Sequence, residues 1–176
     1  MKGESRVEVS VLILLLAEFY PEINVNSELI GASAGCSPVV VRRLYSNLKT
    51  AGLIDTKPGA YGLHLGRDAK EISLWDICAA VKPMDAADIF GIEHPLSGTC
   101  PISGGLYDVL SEYLDDSISA MRSKLEAVSL FDIAWRLPDT YNVPVDEKLA
   151  KIRSALHEAE KQFGTSGENL QRGDLR

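Results

Sequence analysis

Three cysteines, three histidines, an arginine pair and several neighbouring carboxylates are the residues of this 176-residue chain whose types could carry chemistry. Paired carboxylates such as Asp115 and Asp116 fall within one helical pattern, where neighbours in sequence face different directions, so they read as solvated charges and not as an acid–base pair. There is no glycine-rich phosphate loop, no His-x-x-x-His metal pair and no nucleophile with an evident base, so enzymatic activity is not expected. Cys36, Cys78 and Cys100 are too few and too scattered for a disulfide framework. His64, His94 and His157 read as plain surface or loop residues, and neither a metal nor another cofactor is expected. What remains is a basic cluster, Arg42, Arg43 and Lys49. A guanidinium can take both major-groove acceptors of a guanine, and a lysine suits a phosphate.

The elements that must position this cluster follow from periodicity and capping. Residues 5–20 read as a first helix, with Val9, Leu12, Ile13, Leu16 and Phe19 at helical spacing and Pro21 ending it. Asn26 or Ser27 caps a short second helix over 28–34, which Gly35 stops. Ser37 caps a third helix with Pro38 at its first position, where a missing N–H costs nothing. That helix runs to about residue 51 on a stripe of Val40, Leu44 and Leu48, with Val41 beside it. Arg42, Arg43, Ser46, Asn47 and Lys49 are left for its other faces.

Residues 53–57 and 63–65 read as a strand and its return, joined by the turn residues Pro58-Gly59-Ala60-Tyr61-Gly62. A fourth helix over 74–81 starts at Ser73 and packs through Trp75, Ile77 and Val81. Residues 83–98 show no clean period and read as a connector with short helical turns. A long helix over 101–128 carries the apolar stripe Leu106, Val109, Leu110, Tyr113, Leu114, Ile118, Met121 and Leu125. Alone that stripe would be exposed; a second copy of the chain is the economical cover, and the chain's own C-terminal helix is the competing one. A short helix over 129–137 and an amphipathic one over 146–163 follow, with a polar tail after 164. No internal repeat is expected.

Composition bounds the class. The chain is 45% hydrophobic and 24% charged, ordinary for a globular protein. Its longest apolar run, residues 11–17, is too short to span a bilayer. Glu4 and Glu8 stand where a secretory signal would be basic, so a cytoplasmic protein is expected. The net charge of −7 is uneven: residues 1–82 are neutral overall, and residues 83–176 carry all of it. The C-terminal half should therefore point away from phosphate.

Helix, helix, capped helix and hairpin is the order of a winged helix-turn-helix, in which the third helix enters the major groove. The residues also resemble a known family. Ser37-Pro38-Val39-Val40-Val41-Arg42-Arg43-Leu44 and Leu48-Lys49-x-Ala51-Gly52-Leu53-Ile54 are similar to the recognition helix of the Rrf-two (Rrf2) family, which includes iron–sulfur, nitric-oxide and cysteine-metabolism regulators. Leu65-Gly66-Arg67-Asp68, Glu71-Ile72-Ser73-Leu74-Trp75-Asp76-Ile77 and Ser129-Leu130-Phe131-Asp132-Ile133 extend the likeness over about residues 4–135.

The resemblance implies a mainly α fold with a small β-hairpin wing. The chain is expected to divide into a winged helix-turn-helix domain (1–82), a connector or sensor loop (83–100), a dimerisation helix region (101–137) and, outside the resemblance, a C-terminal extension (138–176) with one helix and a disordered tail. The resemblance implies a homodimer on a pseudo-palindromic double-stranded DNA operator; repressor and activator both remain open, occlusion of a promoter being the simpler act for a protein of this size, and no membrane role is expected. Ser37, Val39, Arg42 and Arg43 take base-reading or phosphate positions and Lys57 the wing's entry; Ser27, Pro38, Lys49 and Tyr61 complete the expected contact surface. The wing departs from the family's Gly-x-Gly-Gly-Tyr form, being shorter and poorer in glycine.

Cluster-binding members of that family place three cysteines before the long helix. This chain has Cys100 alone, in Gly98-Thr99-Cys100-Pro101-Ile102, against the four thiolates a cluster normally takes, so no conventional cluster is expected. The match is instead to a subgroup with a lone Cys-Pro pair. Cys100 precedes a helix N-terminus, where the dipole favours an anion, and is a candidate sensor of an oxidant or electrophile. A loop cysteine with no sensing role is the competing reading. Cys36 and Cys78 read as structural. For the whole protein the alternatives are a winged-helix module that binds a partner protein, or a sensor of a small-molecule signal without thiol chemistry.

Overall fold

The structure is a computed structural model that describes residues 5–19, 26–55, 63–92, 95, 96, 98, 100–137 and 154. In chain order they form α1 (Arg6–Phe19), α2 (Ser27–Ala34), α3 (Pro38–Thr50), β1 (Ile54–Asp55), β2 (His64–Leu65), α4 (Leu74–Val81), α5 (Ala86–Phe90), α6 (Pro101–Glu126) and α7 (Leu130–Arg136). The mainly helical architecture with one small hairpin is as the sequence implies. The expected helix over 146–163, apart from residue 154, the wing-tip residues 56–62 and the loop histidine His94 lie outside the described residues.

α1 is the hub of the core. It packs against α3, α4, α7 and β2, and its buried residues are Val9, Ser10, Ile13, Leu14, Leu15 and Ala17. This face is broader than the single stripe read from periodicity, and Leu12, Leu16 and Phe19 are only half-buried. The reason is that α1 is covered from more than one side. The Ser10 hydroxyl within that face is satisfied by donating to the Arg6 carbonyl at 2.7 Å.

The turn between α2 and α3 is tight. Asn26 caps α2 by accepting from the Leu29 N–H at 2.8 Å, and Gly35 ends it at a φ of 66°, a left-handed conformation that glycine adopts without steric cost. The Cys36 N–H returns to the Gly31 carbonyl at 2.9 Å. A side chain at Gly31 would stand 2.8 Å from the Cys36 carbonyl oxygen, so the helices cross this closely only because that position has no Cβ.

α3 buries Val41, Leu44 and Leu48, so its inner stripe is centred on Val41, with Val40 half-buried to one side. Full burial of each such side chain is worth about 1.5–3 kcal/mol, which fixes the helix's rotation and therefore which residues face out. The two strands pair antiparallel, Ile54 opposite Leu65 and Asp55 opposite His64. The hairpin's buried members Leu53, Ile54 and Leu63 join the core.

α4 and α7 begin with the same five-residue pattern, Ser73-Leu74-Trp75-Asp76-Ile77 and Ser129-Leu130-Phe131-Asp132-Ile133. Each pattern forms a capping box in which the serine accepts from the aspartate N–H and the aspartate accepts from the serine N–H. The two caps lie side by side: Leu74 N–H donates to the Val128 carbonyl at 2.7 Å, and Leu130 N–H to that of Ile72 at 2.8 Å. This pairing ties α7, beyond the long helix, back to the head. Trp75, expected in the core, is half-buried beneath the Arg122 guanidinium of α6 at 5.4 Å. Among the described residues no helix is long and apolar enough to cross a membrane.

Candidate nucleic-acid interface

The inner stripe of α3 fixes its outer face. Ser37 caps the helix, accepting from the Val39 N–H at 3.3 Å, and Pro38 opens it. Val39 is 68% exposed, a large apolar side chain at a helix start that faces outward. Arg42, Arg43, Ser46 and Lys49 are exposed around the same surface, with Lys49 in the last turn. The structure thus brings Ser37, Val39, Arg42 and Arg43 to the exposed N-terminal half of one helix. Lys57 and Tyr61, expected on the wing, lie outside the described residues.

Ser27 is placed differently from the others. It is buried, and its hydroxyl is used in two directions. It donates to Glu28 Oε2 at 2.9 Å and accepts from Arg42 Nε at 3.1 Å. Arg42 Nη2 forms an ion pair with the other carboxylate oxygen of Glu28. The Ser27 hydrogen bond, then backbone hydrogen bonding and the Arg42 guanidinium, hold the Glu28 carboxyl below its ordinary range. Tyr45, on the same helix, is pushed up to about 12 by burial and then by the Glu28 charge, so its hydroxyl stays protonated. Sequence reading did not single out Glu28. The available signal was a carboxylate in the first turn of α2 ahead of an exposed arginine on α3.

Two further features were expected to matter. Cys100 is exposed and is the N-cap of α6 without a side-chain capping bond, while its carbonyl accepts from Ser103 Oγ at 2.7 Å. Cys36 is buried, and Cys78 is half-buried with its thiol pushed up by burial. The stripe on α6 is exposed over its N-terminal half: Val109 is 53% exposed and Tyr113 69%, and Leu106 and Leu110 are exposed as well. Leu114, Ile118, Met121 and Leu125 are half-buried, the helix being packed by α4 and α5.

A tight helix-turn-helix, a paired hairpin after it and a long helix leaving the head define a winged helix-turn-helix protein. A family model named Rrf2 and described as an iron-dependent transcriptional regulator matches residues 3–136. The chain belongs to the Rrf2 family of transcriptional regulators, a family of regulators and not of enzymes. It is 31% identical over 129 residues to YwnA of Bacillus subtilis (strain 168), whose name places it among HTH-type transcriptional regulators; the match spans 73% of this chain and 94% of YwnA. A crystal structure of a protein described as DNA-binding is 29% identical, with a TM-score of 0.57, covering 73% of this chain and 98% of that one. The crystal structure of a transcriptional regulator from Lactobacillus plantarum has a TM-score of 0.61 at 17% identity, covering 94% and 99%, and shares the fold.

The iron in the family's description can be tested against the donors present. Residues 83–100 supply one thiol, Cys100. Among the described residues no three His, Cys, Asp or Glu side chains are grouped to hold a metal ion. This donor set does not fit a thiolate-held iron centre.

Proposed function

We propose that the protein regulates transcription by binding double-stranded DNA as a homodimer, with the outer face of α3 in the major groove. The observation that carries this reading is the rotation of α3. Val41, Leu44 and Leu48 are locked inward, and Val39, Arg42 and Arg43 are presented outward from one capped helix start. An arginine there suits bidentate recognition of guanine, and an exposed valine suits contact with a thymine methyl. Ser37, Pro38 and Lys49 border that surface, and Lys57 and Tyr61 would extend it from the wing.

The exposed stripe on α6 supports a two-fold dimer, because each copy supplies the same apolar face to the other. Two heads held this way call for a pseudo-palindromic operator, and occluding a promoter, hence repression, is the simplest act of such a dimer. Cys100, exposed at the root of the dimer helix, is where an oxidant or electrophile would be read. The acidic residues 83–137 keep the arm away from phosphate.

The test is selection of genomic DNA fragments by the purified, reduced protein, followed by sequencing. The reading expects a palindromic motif to be enriched, with affinity falling steeply as salt rises. No enrichment at low salt would overturn it and favour a partner protein as the target of α3.

A further inference from the structure

Arg42 and Arg43 are adjacent and both exposed, yet the structure treats them differently. Among the described residues Arg43 makes no hydrogen bond or ion pair. Arg42 is held along one edge of its guanidinium. Nε donates to Ser27 Oγ at 3.1 Å and Nη2 pairs with Glu28 Oε1, while Ser27 itself donates to Glu28 Oε2 at 2.9 Å. These contacts close a ring of three side chains between α2 and α3.

A guanidinium has two edges that can grip a pair of acceptors: the side edge, Nε with Nη2, and the end edge, Nη1 with the second Nη2 hydrogen. The side edge is committed here. The end edge has no partner among the described residues, and it matches the O6 and N7 pair of guanine. We propose that Ser27 and Glu28 are positioning residues that fix the Arg42 side edge so that its end edge reads one guanine in each half-site. Sequence preference is then set in part by a carboxylate that does not touch the DNA. This inference rests on the reading of α3 as the DNA-facing helix.

Three physical arguments favour positioning over stability. The Arg42–Glu28 pair is 59% exposed on both sides, and ion pairs so exposed contribute little to folding. A free arginine must also give up many rotamers on binding, and holding it beforehand removes that cost from the complex. Finally, an exposed glutamate is ionised at neutral pH in any case, and the Ser27 hydrogen bond lowers its pKa further, so the brace is present there. An ionised carboxylate beside DNA would repel phosphate unless a cation stayed over it, so Glu28 is useful there only as Arg42's partner.

The experiment compares wild type, Glu28→Gln, Ser27→Ala and Arg42→Ala on the selected operator and on operators altered one base pair at a time. Glu28→Gln should keep the wild-type melting temperature and bind non-specific DNA at least as tightly as wild type, one repelling charge being gone. It should lose roughly fivefold or more of its discrimination at one G·C pair per half-site, the size of coupling usual for contacting residues. Ser27→Ala should relax the same position. Arg42→Ala should abolish preference there, and adding Glu28→Gln to it should recover affinity without recovering preference. Full wild-type discrimination in Glu28→Gln overturns the proposal alone. So does equal weakening at every position with a lowered melting temperature, which is the mark of a structural role. A wild-type protein that selects no sequence overturns the DNA reading and this inference with it.

Discussion

Replacing Val109 with aspartate should dissociate the proposed dimer while leaving the head folded. Val109 lies on α6 and is 53% exposed in the single chain. Full burial of a valine is worth ~1.5–3 kcal/mol, so about half of that, ~0.8–1.5 kcal/mol, is left for a partner to cover. A two-fold interface contains two such residues. Trimming both to alanine should therefore cost ~1.6–3 kcal/mol, or roughly 15- to 150-fold in the dimer dissociation constant. Aspartate goes further, because burying a carboxylate without a partner is more costly than losing a methyl group, and the local surface is already acidic from Asp108 and Glu112. Sedimentation velocity over a range of concentrations measures the shift, and circular dichroism checks that helix content is kept. A Val109→Asp protein that remains a dimer with unchanged affinity would refute the placement of the interface on this stripe, as would a wild-type protein that sediments as a monomer.

Other consequences follow from the same geometry. Leu44, 2% exposed beneath α3, should cost about 2–5 kcal/mol of stability when replaced by alanine, and a loss below about 1 kcal/mol in thermal unfolding would contradict its place in the core. Lys49→Ala should weaken binding to all sequences alike and lower the slope of log affinity against log salt by about 1, whereas a change confined to one base pair would contradict a phosphate role. If Cys100 is the redox sensor, oxidised wild type should lose operator affinity and Cys100→Ser should not. A Cys100→Ser protein that still loses affinity on oxidation would remove the thiol from the account.

The order of elements was legible because capping and punctuation are local. Ser37-Pro38, Ser73, Ser129, Gly35 and Gly52 mark helix boundaries within a few residues of chain, and the structure places α3, α4 and α7 where those residues predict. Burial was read less well, because it depends on what packs from outside. The stripe of α3 is centred on Val41 and not Val40, α1 is covered on more sides than one stripe serves, and Trp75 lies at an edge under Arg122. The matching pentapeptides at Ser73 and Ser129 went unread as a repeat, although they build paired caps 56 residues apart. Glu28 escaped notice for a similar reason. Its link to Arg42 exists only once the turn at Gly31 and Gly35 has brought α2 across α3, and a 14-residue separation carries no helical period.

The most direct test of the central claim is the affinity of Arg43→Ala for the selected operator and for its single-base variants. Arg43 is exposed on the outer face of α3, so the account predicts a loss worth ~1–3 kcal/mol, concentrated at one base pair of each half-site, with non-specific binding much less affected. Wild-type affinity and wild-type sequence preference in Arg43→Ala would contradict the claim that this face of α3 reads DNA.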